Sequence, residues 1–385
     1  MEWGFFRLDE IADIRAGGTP SRSNPDYWEN GDIPWVKISD MKEHYITDVE
    51  ERITDKGLQN SSAKLFPEGT ILFSIFASVG EVALLGLPAT TNQAIAGIIP
   101  HTQLIDRVFL YYYLKSQKRQ VCKKGRGVAQ NNINLSILRS WPVPVPPLET
   151  QKRIADVLDR TQELIDKRKH QIRMLDEFLQ SVFLDMFGDP GVNPRNWFIR
   201  PFSYFAKIDT RMVKDFQEYW EMPHIGVGNI ESDSGRLIGY KLVKDAGLTS
   251  GKYVFDDSHI IYSKIRPNLN KVALPEFSGL CSADAYPLLV DERHTNRYFF
   301  AHILRSDYFL DYILRHSSRT NIPKVNKRQL QSFRCICPPL RLQDEFANSV
   351  VRTEEQRKVL LKSLAEMENA FNSIMQRAFK GELFN

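Results

Sequence analysis

The stretch Pro146-Pro147-Leu148-Glu149-Thr150-Gln151-Lys152-Arg153-Ile154-Ala155 returns 192 residues later as Pro338-Pro339-Leu340-Arg341-Leu342-Gln343-Asp344-Glu345-Phe346-Ala347. Downstream, Arg160, Thr161 and Glu163 fall on Arg352, Thr353 and Glu355 at the same offset. Upstream, Asn134 and Leu138 fall on Asn326 and Leu330. Earlier still, Pro34, Phe66, Ile71 and Ser74 match Pro223, Phe255, Ile260 and Ser263 at an offset of 189. A drift of three residues is what loop insertions produce. The chain is two copies of one unit, not an array of short repeats.

Each proline pair opens a break-free run, a helix start signal. In the first run Ile154, Leu158, Ile165, Ile172, Leu175, Leu179, Val182 and Met186 recur with 4,3 spacing once Thr161 and Arg168 are added. In the second, Phe346, Val350, Leu360, Leu364, Met367, Phe371, Ile374 and Ala378 keep that register, with Thr353 and Arg357 as the polar steps. This is the period of a coiled-coil seam. Forty residues at about 1.5 Å each predict helices about 60 Å long. The segments before the prolines are mixed. Strand-like runs (Gly69 to Ser74, Ser258 to Ser263) accompany helical ones (Arg107 to Gln117, Tyr298 to Arg305). The expected fold is mixed α/β (α+β). Two globular segments, 1–147 and 191–339, are separated by a long antiparallel two-helix coiled coil built from 148–190 and 340–385, an internal repeat with pseudo-twofold symmetry.

A 42% apolar and 25% charged composition excludes a disordered chain, and no run is long enough to span a membrane. The first residues carry an acid and precede no apolar stretch, and four cysteines are too few for a disulfide scaffold. A cytoplasmic protein without membrane contact is expected. The net charge of +4 is unremarkable, but its distribution is not. Arg107 to Leu148 and Tyr312 to Gln343 contain no acid and carry eight and seven bases. Two such tracts at matching places in the copies point to a polyanion.

Catalytic signals are weak. Gly247 to Tyr253 is one residue short of a phosphate loop and lacks Ser or Thr after its lysine. Asn24-Pro25-Asp26-Tyr27 has a single proline where an amino-methyltransferase has two, and Asp40-Met41-Lys42 fits a nuclease pattern only loosely. The histidines are scattered, and Cys335-x-Cys337 has no partner pair, so no metal site is expected.

Gly17-Gly18-Thr19-Pro20-Ser21, Tyr27-Trp28 and Gly31-Asp32-Ile33-Pro34-Trp35-Val36 are similar to the opening of a target recognition domain in the specificity subunits of Type I restriction-modification systems. Asn60 to Pro67, Gly69 to Leu72, Ala77 to Gly80 and Asn92-Gln93-Ala94-Ile95 continue the resemblance in order. Pro146-Pro147-Leu148 with Gln151 to Ala155 resembles that family's central helix. Copy two lacks the Gly-Gly-Thr-Pro-Ser turn and carries Ser282-Ala283-Asp284-Ala285 near where Asn-Gln-Ala-Ile would stand.

The resemblance implies a non-catalytic DNA specificity subunit. Recognition domains 1–147 and 191–339 each read half of a split, asymmetric site in double-stranded DNA, and helices 148–190 and 340–385 set the spacing. Methyltransferase subunits dock on the helices and use S-adenosylmethionine, a motor-nuclease subunit uses ATP and magnesium, and this chain holds no cofactor. Two other readings stay open: a stand-alone DNA-modifying enzyme, and a coiled-coil scaffold that binds no DNA.

Base readers should be Arg, Lys, Asn or Gln on loops. In copy one these are Lys123, Lys124, Arg126, Gln130, Asn131 and Asn132, with Arg22 and Lys37 as further choices. In copy two they are Lys264, Arg266, Asn268, Asn270 and Lys271, with Arg319, Asn321 and Lys324 opposite the first cluster by the 192 offset. Trp3, Trp35, Trp141 and Trp197 read as packing residues.

Overall fold

Proline lacks a backbone N–H and fixes φ, so a proline pair is a barrier on the N-terminal side of a helix. Directly after the two pairs run uninterrupted helices of 40 residues, Leu148–Phe187 and Leu340–Phe379. The structure, a computed structural model, describes residues 3–76, 78–118, 133–316 and 323–384. It divides into two units, Met1–Arg168 with Ser363–Asn385, and Lys169–Lys362. The divisions fall inside both long helices, so each unit holds one globular segment and a part of each helix.

The first unit has an antiparallel sheet core in which Ala12–Ala16, Ile95–Pro100, Ile71–Ser74 and Val82–Leu85 are neighbours, with Tyr45–Ile46 added in parallel at the edge. A smaller sheet joins Arg52–Ile53, Ile33–Val36 and Thr90–Thr91. Ile71–Ser74 and Val82–Leu85 are buried at every position, so they show no alternation and, Ser74 apart, read as continuous apolar runs. The second unit repeats the larger sheet in the same order: Ala206–Ile208, Ala285–Val290, His259–Ser263, Val272–Ala273. Its other sheet has five strands, Met212–Val213, Lys252–Phe255, Gly279–Cys281, Pro223–Ile225 and Lys241–Leu242. In both units a two-stranded ribbon pairs the first strand with the last before the proline pair: Gly4–Arg7 with Pro142–Val145, and Phe198–Pro201 with Arg334–Cys337.

The seam residues point inward. Ile154, Leu158, Ile165, Ile172, Leu179, Phe346 and Phe371 are buried, and Leu175, Val182, Val350, Leu360, Leu364, Met367 and Ile374 are half-buried. In the second unit Arg357 bonds to Ile172 and Asp176, while Phe346 packs on Phe183 and Phe187, so the helices run antiparallel there. The strict seam period ends near Leu179. Phe183 and Phe187 are buried where Val182 and Met186 are half-buried, because the last two turns pack against Phe299 in the globular core.

A buried glutamine joins each helix start to its globular segment. Gln151 is fully buried; its Oε1 accepts from the Asp106 N–H at 2.7 Å, and its Nε2 donates to Leu104 O and Pro146 O. Gln343 is likewise fully buried; its Oε1 accepts from the Asn296 N–H at 2.9 Å and from Thr295 Oγ1, and its Nε2 donates to Pro338 O. Asp106 and Asn296 are the N-caps of helices Arg107–Ser116 and Arg297–Arg305, so both glutamines hold equivalent positions.

Candidate nucleic-acid interface

Three backbone hydrogen bonds tie the loops at one edge of the first unit together. Asn92 N–H donates to Val36 O (3.1 Å), Ile75 N–H to Ala94 O (2.8 Å), and Ile133 N–H to Ile75 O (3.1 Å). The second unit repeats all three: Ser282 to Ile225 O (2.9 Å), Lys264 to Asp284 O (3.0 Å), and Val325 to Lys264 O (2.7 Å). The loop frame is therefore duplicated while its side chains are not. Where the first unit has buried Ile75, the second has half-buried Lys264.

In the first unit the glycine turn is part of this frame. Gly17 and Gly18 donate to Ile95 O and Thr91 O, and a Cβ on either would lie within 2.3 Å of neighbouring atoms, so only glycine fits. Trp35 Nε1 donates to Gly18 O and Trp28 Nε1 to Ser21 O; both rings thus hold the turn, and Trp35 is buried. The Thr19 hydroxyl donates to Gln93 Oε1. Arg22 lies 3.7 Å from the Trp28 ring and is paired with Glu51 at 2.5 Å. Lys37 pairs with the same carboxylate at 2.6 Å. That bond, above all, holds the Lys37 ammonium above its ordinary pKa. Both cations thus face an acid of their own chain. Lys123, Lys124, Arg126, Gln130, Asn131 and Asn132 lie outside the described residues, as do Arg319 and Asn321.

In the second unit the structure brings two separate sequence choices together. Ile265 and Lys324 form an isolated antiparallel bridge, so the 264–271 loop and the basic tract share one edge. Burial, first of all, pulls the Lys264 ammonium below its ordinary pKa; Asp284 opposes this, and Lys324 and Lys327 add to it. Lys324, Arg266 and Asn268 are exposed. Asn270 and Lys271 have a different place from the one their sequence position suggests. Asn270 is 8% exposed and donates its amide to Arg305 O at 2.7 Å, and Lys271 donates to Val227 O at 3.0 Å. They hold the loop and do not extend from it. Lys327 and Arg328, exposed in the first turn of helix Lys327–Gln331, were not singled out by sequence, although the acid-free tract contains both.

Among the described residues no group of His, Cys, Asp or Glu is placed to hold a metal ion, and no helix is long and apolar enough to cross a membrane.

A family model described as the Type I restriction modification DNA specificity domain matches residues 1–174 and again 196–354. The specificity subunit of Type I restriction enzyme MjaIX from Methanocaldococcus jannaschii is 26% identical over 419 residues, covering 99% of this chain and 94% of its own length. The specificity subunit of EcoDI from Escherichia coli is 29% identical over 319 residues, covering 73% of this chain and 71% of its own. A crystal structure of the Type I restriction-modification S subunit from M. genitalium has a similar fold, with a TM-score of 0.57 and 14% identity over 98% of this chain and 96% of that one.

Proposed function

This chain belongs to the family of the Type I restriction modification DNA specificity domain, and we propose that it is the DNA-reading subunit of such a complex. Each unit reads one half of a bipartite, asymmetric site in double-stranded DNA, and the two long helices set the gap between the halves. The chain performs no catalytic step and holds no cofactor. Methyltransferase subunits bring S-adenosylmethionine, and a motor-nuclease subunit brings ATP hydrolysis with magnesium and cleavage.

The observation that carries this reading is the duplicated loop frame: the same three backbone bonds in both units, edged by different side chains. Equal frames with unequal edges are what two different half-sites require, since base edges are told apart by side-chain donors and acceptors. The basic edge of the second unit, with Lys264, Lys324 and Lys327, suits the phosphates flanking its half-site. The long helices present apolar side chains outward in the second unit, Met174 and Phe178 one turn apart and Val359 on the other helix, which suits protein docking.

The test is a hybrid in which residues 191–337 are replaced by the corresponding segment of another family member, assembled with its methyltransferase subunits. Mapping of methylated bases is expected to show one half of the site changed, with the other half and the gap retained. Loss of both half-specificities in a folded, assembled hybrid would overturn independent reading. Methylation by the purified chain with S-adenosylmethionine alone would overturn the non-catalytic role.

A further inference from the structure

We propose that Arg266 reads a guanine in the half-site of the second unit, presented by a left-handed backbone that holds its guanidinium clear of the chain. The inference rests on the DNA-reading function above and names a base and a residue within it.

Arg266 has φ 50° and ψ 60°, the left-handed region. Two steric effects oppose this. The Cβ of an L-residue crowds its own backbone there, and the ring of Pro267 favours an extended conformation in the residue before it. Left-handed residues in the equivalent loops are otherwise types that tolerate it. Asn270, at φ 44°, stands two residues before its following strand, as does Gly80, at φ 89°, in the first unit. The positive φ of Asn270 is thus part of the shared frame, and Asn is among the residues least disfavoured there. An arginine is not.

The conformation persists because the surroundings over-determine it. Arg266 N–H donates to Pro323 O and Leu269 N–H to Arg266 O, each at 3.0 Å. Ser263 Oγ donates to Ile265 O at 2.9 Å, and Asn270 closes the far side of the loop on Arg305 O. Strain held in this way gathers at functional sites.

The side chain that this backbone presents is exposed, and among the described residues it has no carboxylate or hydrogen-bond partner. The contrast with other bases of the chain is direct. Arg22 and Lys37 face Glu51, Lys271 donates to Val227 O, and Arg305 donates to Val272 O. Lys264 and Lys324 lie on the same loop edge and supply positive charge for phosphates. A free, planar guanidinium beside ammonium groups placed for phosphates matches guanine: its rigid donor fork spans O6 and N7 in the major groove with a fixed geometry that a flexible ammonium lacks.

The test uses the chain assembled with its methyltransferase subunits and two variants, Arg266→Gly and Arg266→Lys. Each is read by thermal unfolding, by the methylated-site motif, and by binding to duplexes in which single guanines of the second half-site are replaced by 7-deazaguanine. Glycine relieves the backbone, so the melting temperature of Arg266→Gly is expected to equal or exceed that of the parent. One guanine of the second half-site should become degenerate in Arg266→Gly, with roughly a ten- to hundred-fold loss of discrimination there, and Arg266→Lys, whose ammonium still donates to O6 or N7 without the fixed fork, should lose less. The parent, but not Arg266→Gly, should be sensitive to 7-deazaguanine at that position. An unchanged motif in both variants overturns the assignment while leaving DNA reading intact. Equal weakening at every position makes Arg266 a phosphate contact and overturns it too, as does a lower melting temperature for Arg266→Gly. Absence of sequence-specific binding by the parent complex overturns the function itself.

Discussion

Gln151 and Gln343 each satisfy the backbone of a neighbouring helix cap and of their own proline pair from a fully buried position. An alanine at either leaves buried N–H and C=O groups without partners, at a cost of about 1–3 kcal/mol each. We therefore expect Gln151→Ala and Gln343→Ala to lower the melting temperature, by roughly 2–4 °C per kcal/mol for a unit of this size, with calorimetry as the measurement. An unchanged transition in both would mean that water replaces the amide without loss. Both glutamines stand out in the repeat, since they align at the 192 offset. Their task was not legible there, because Asp106 and Asn296 lie 45 and 47 residues away and nothing local links them.

On the scale of the element, the long helices bury one cation in a seam that is apolar apart from the further polar steps Thr161, Arg168 and Thr353. Arg357 is 2% exposed; Nη2 donates to Asp176 Oδ1 at 2.6 Å, Nη1 to Ile172 O at 3.2 Å, and Nε to Glu354 Oε1 at 3.1 Å. Its carboxylate partners are themselves well exposed, at 54% and 38%. Ion pairs of this kind often add little net stability beside an apolar residue of similar volume, whereas a truncation leaves a hole. Arg357→Ala is expected to destabilise by about 2–4 kcal/mol, and Arg357→Met to stay within about 1 kcal/mol of the parent or to exceed it. Denaturant unfolding decides between them: if Met costs as much as Ala, the charge pairing and not the volume holds the helices. The 4,3 spacing made both helices legible as a seam, with Arg357 among its polar steps. The turn to Phe183 and Phe187 was not legible, because the pull there comes from Phe299, far along the chain.

At the scale of the whole molecule, three histidines among the described residues are held neutral. Burial, first of all, lowers His44 in the first unit to about 4, and His224 and His302 in the second to about 4 and about 3; Lys115, Lys252 and Arg305 respectively add to the effect. The unfolded chain takes up these protons below about pH 6.5, and the folded chain does so only near the lowered values. Each group's contribution is therefore fully present above about pH 6.5 and is lost as pH falls toward 4 and 3. Melting temperatures of both units are expected to decline from pH 6.5 to pH 4. The His302 ring stacks on Phe183 at 4.3 Å with Phe346 at 5.3 Å, so His302→Phe keeps an aromatic ring there and should flatten that decline for the second unit. An unaltered slope in the variant would assign the acid sensitivity to other groups.

The duplication, the helix starts after Pro147 and Pro339, the seam and the two acid-free tracts are properties of the sequence by itself. They depend on residues a few positions apart, where spacing alone settles which face a side chain takes. Only the tertiary structure decided which bases are free. Arg22, Lys37 and Lys271 carry the same kind of charge as Arg266 and Lys324, but Glu51 and the Val227 carbonyl, distant in sequence, take up the first three. Likewise, only the bridge between Ile265 and Lys324 joined two sequence segments into one edge. Which partner a side chain meets depends on contacts that close long loops, and no local pattern encodes them.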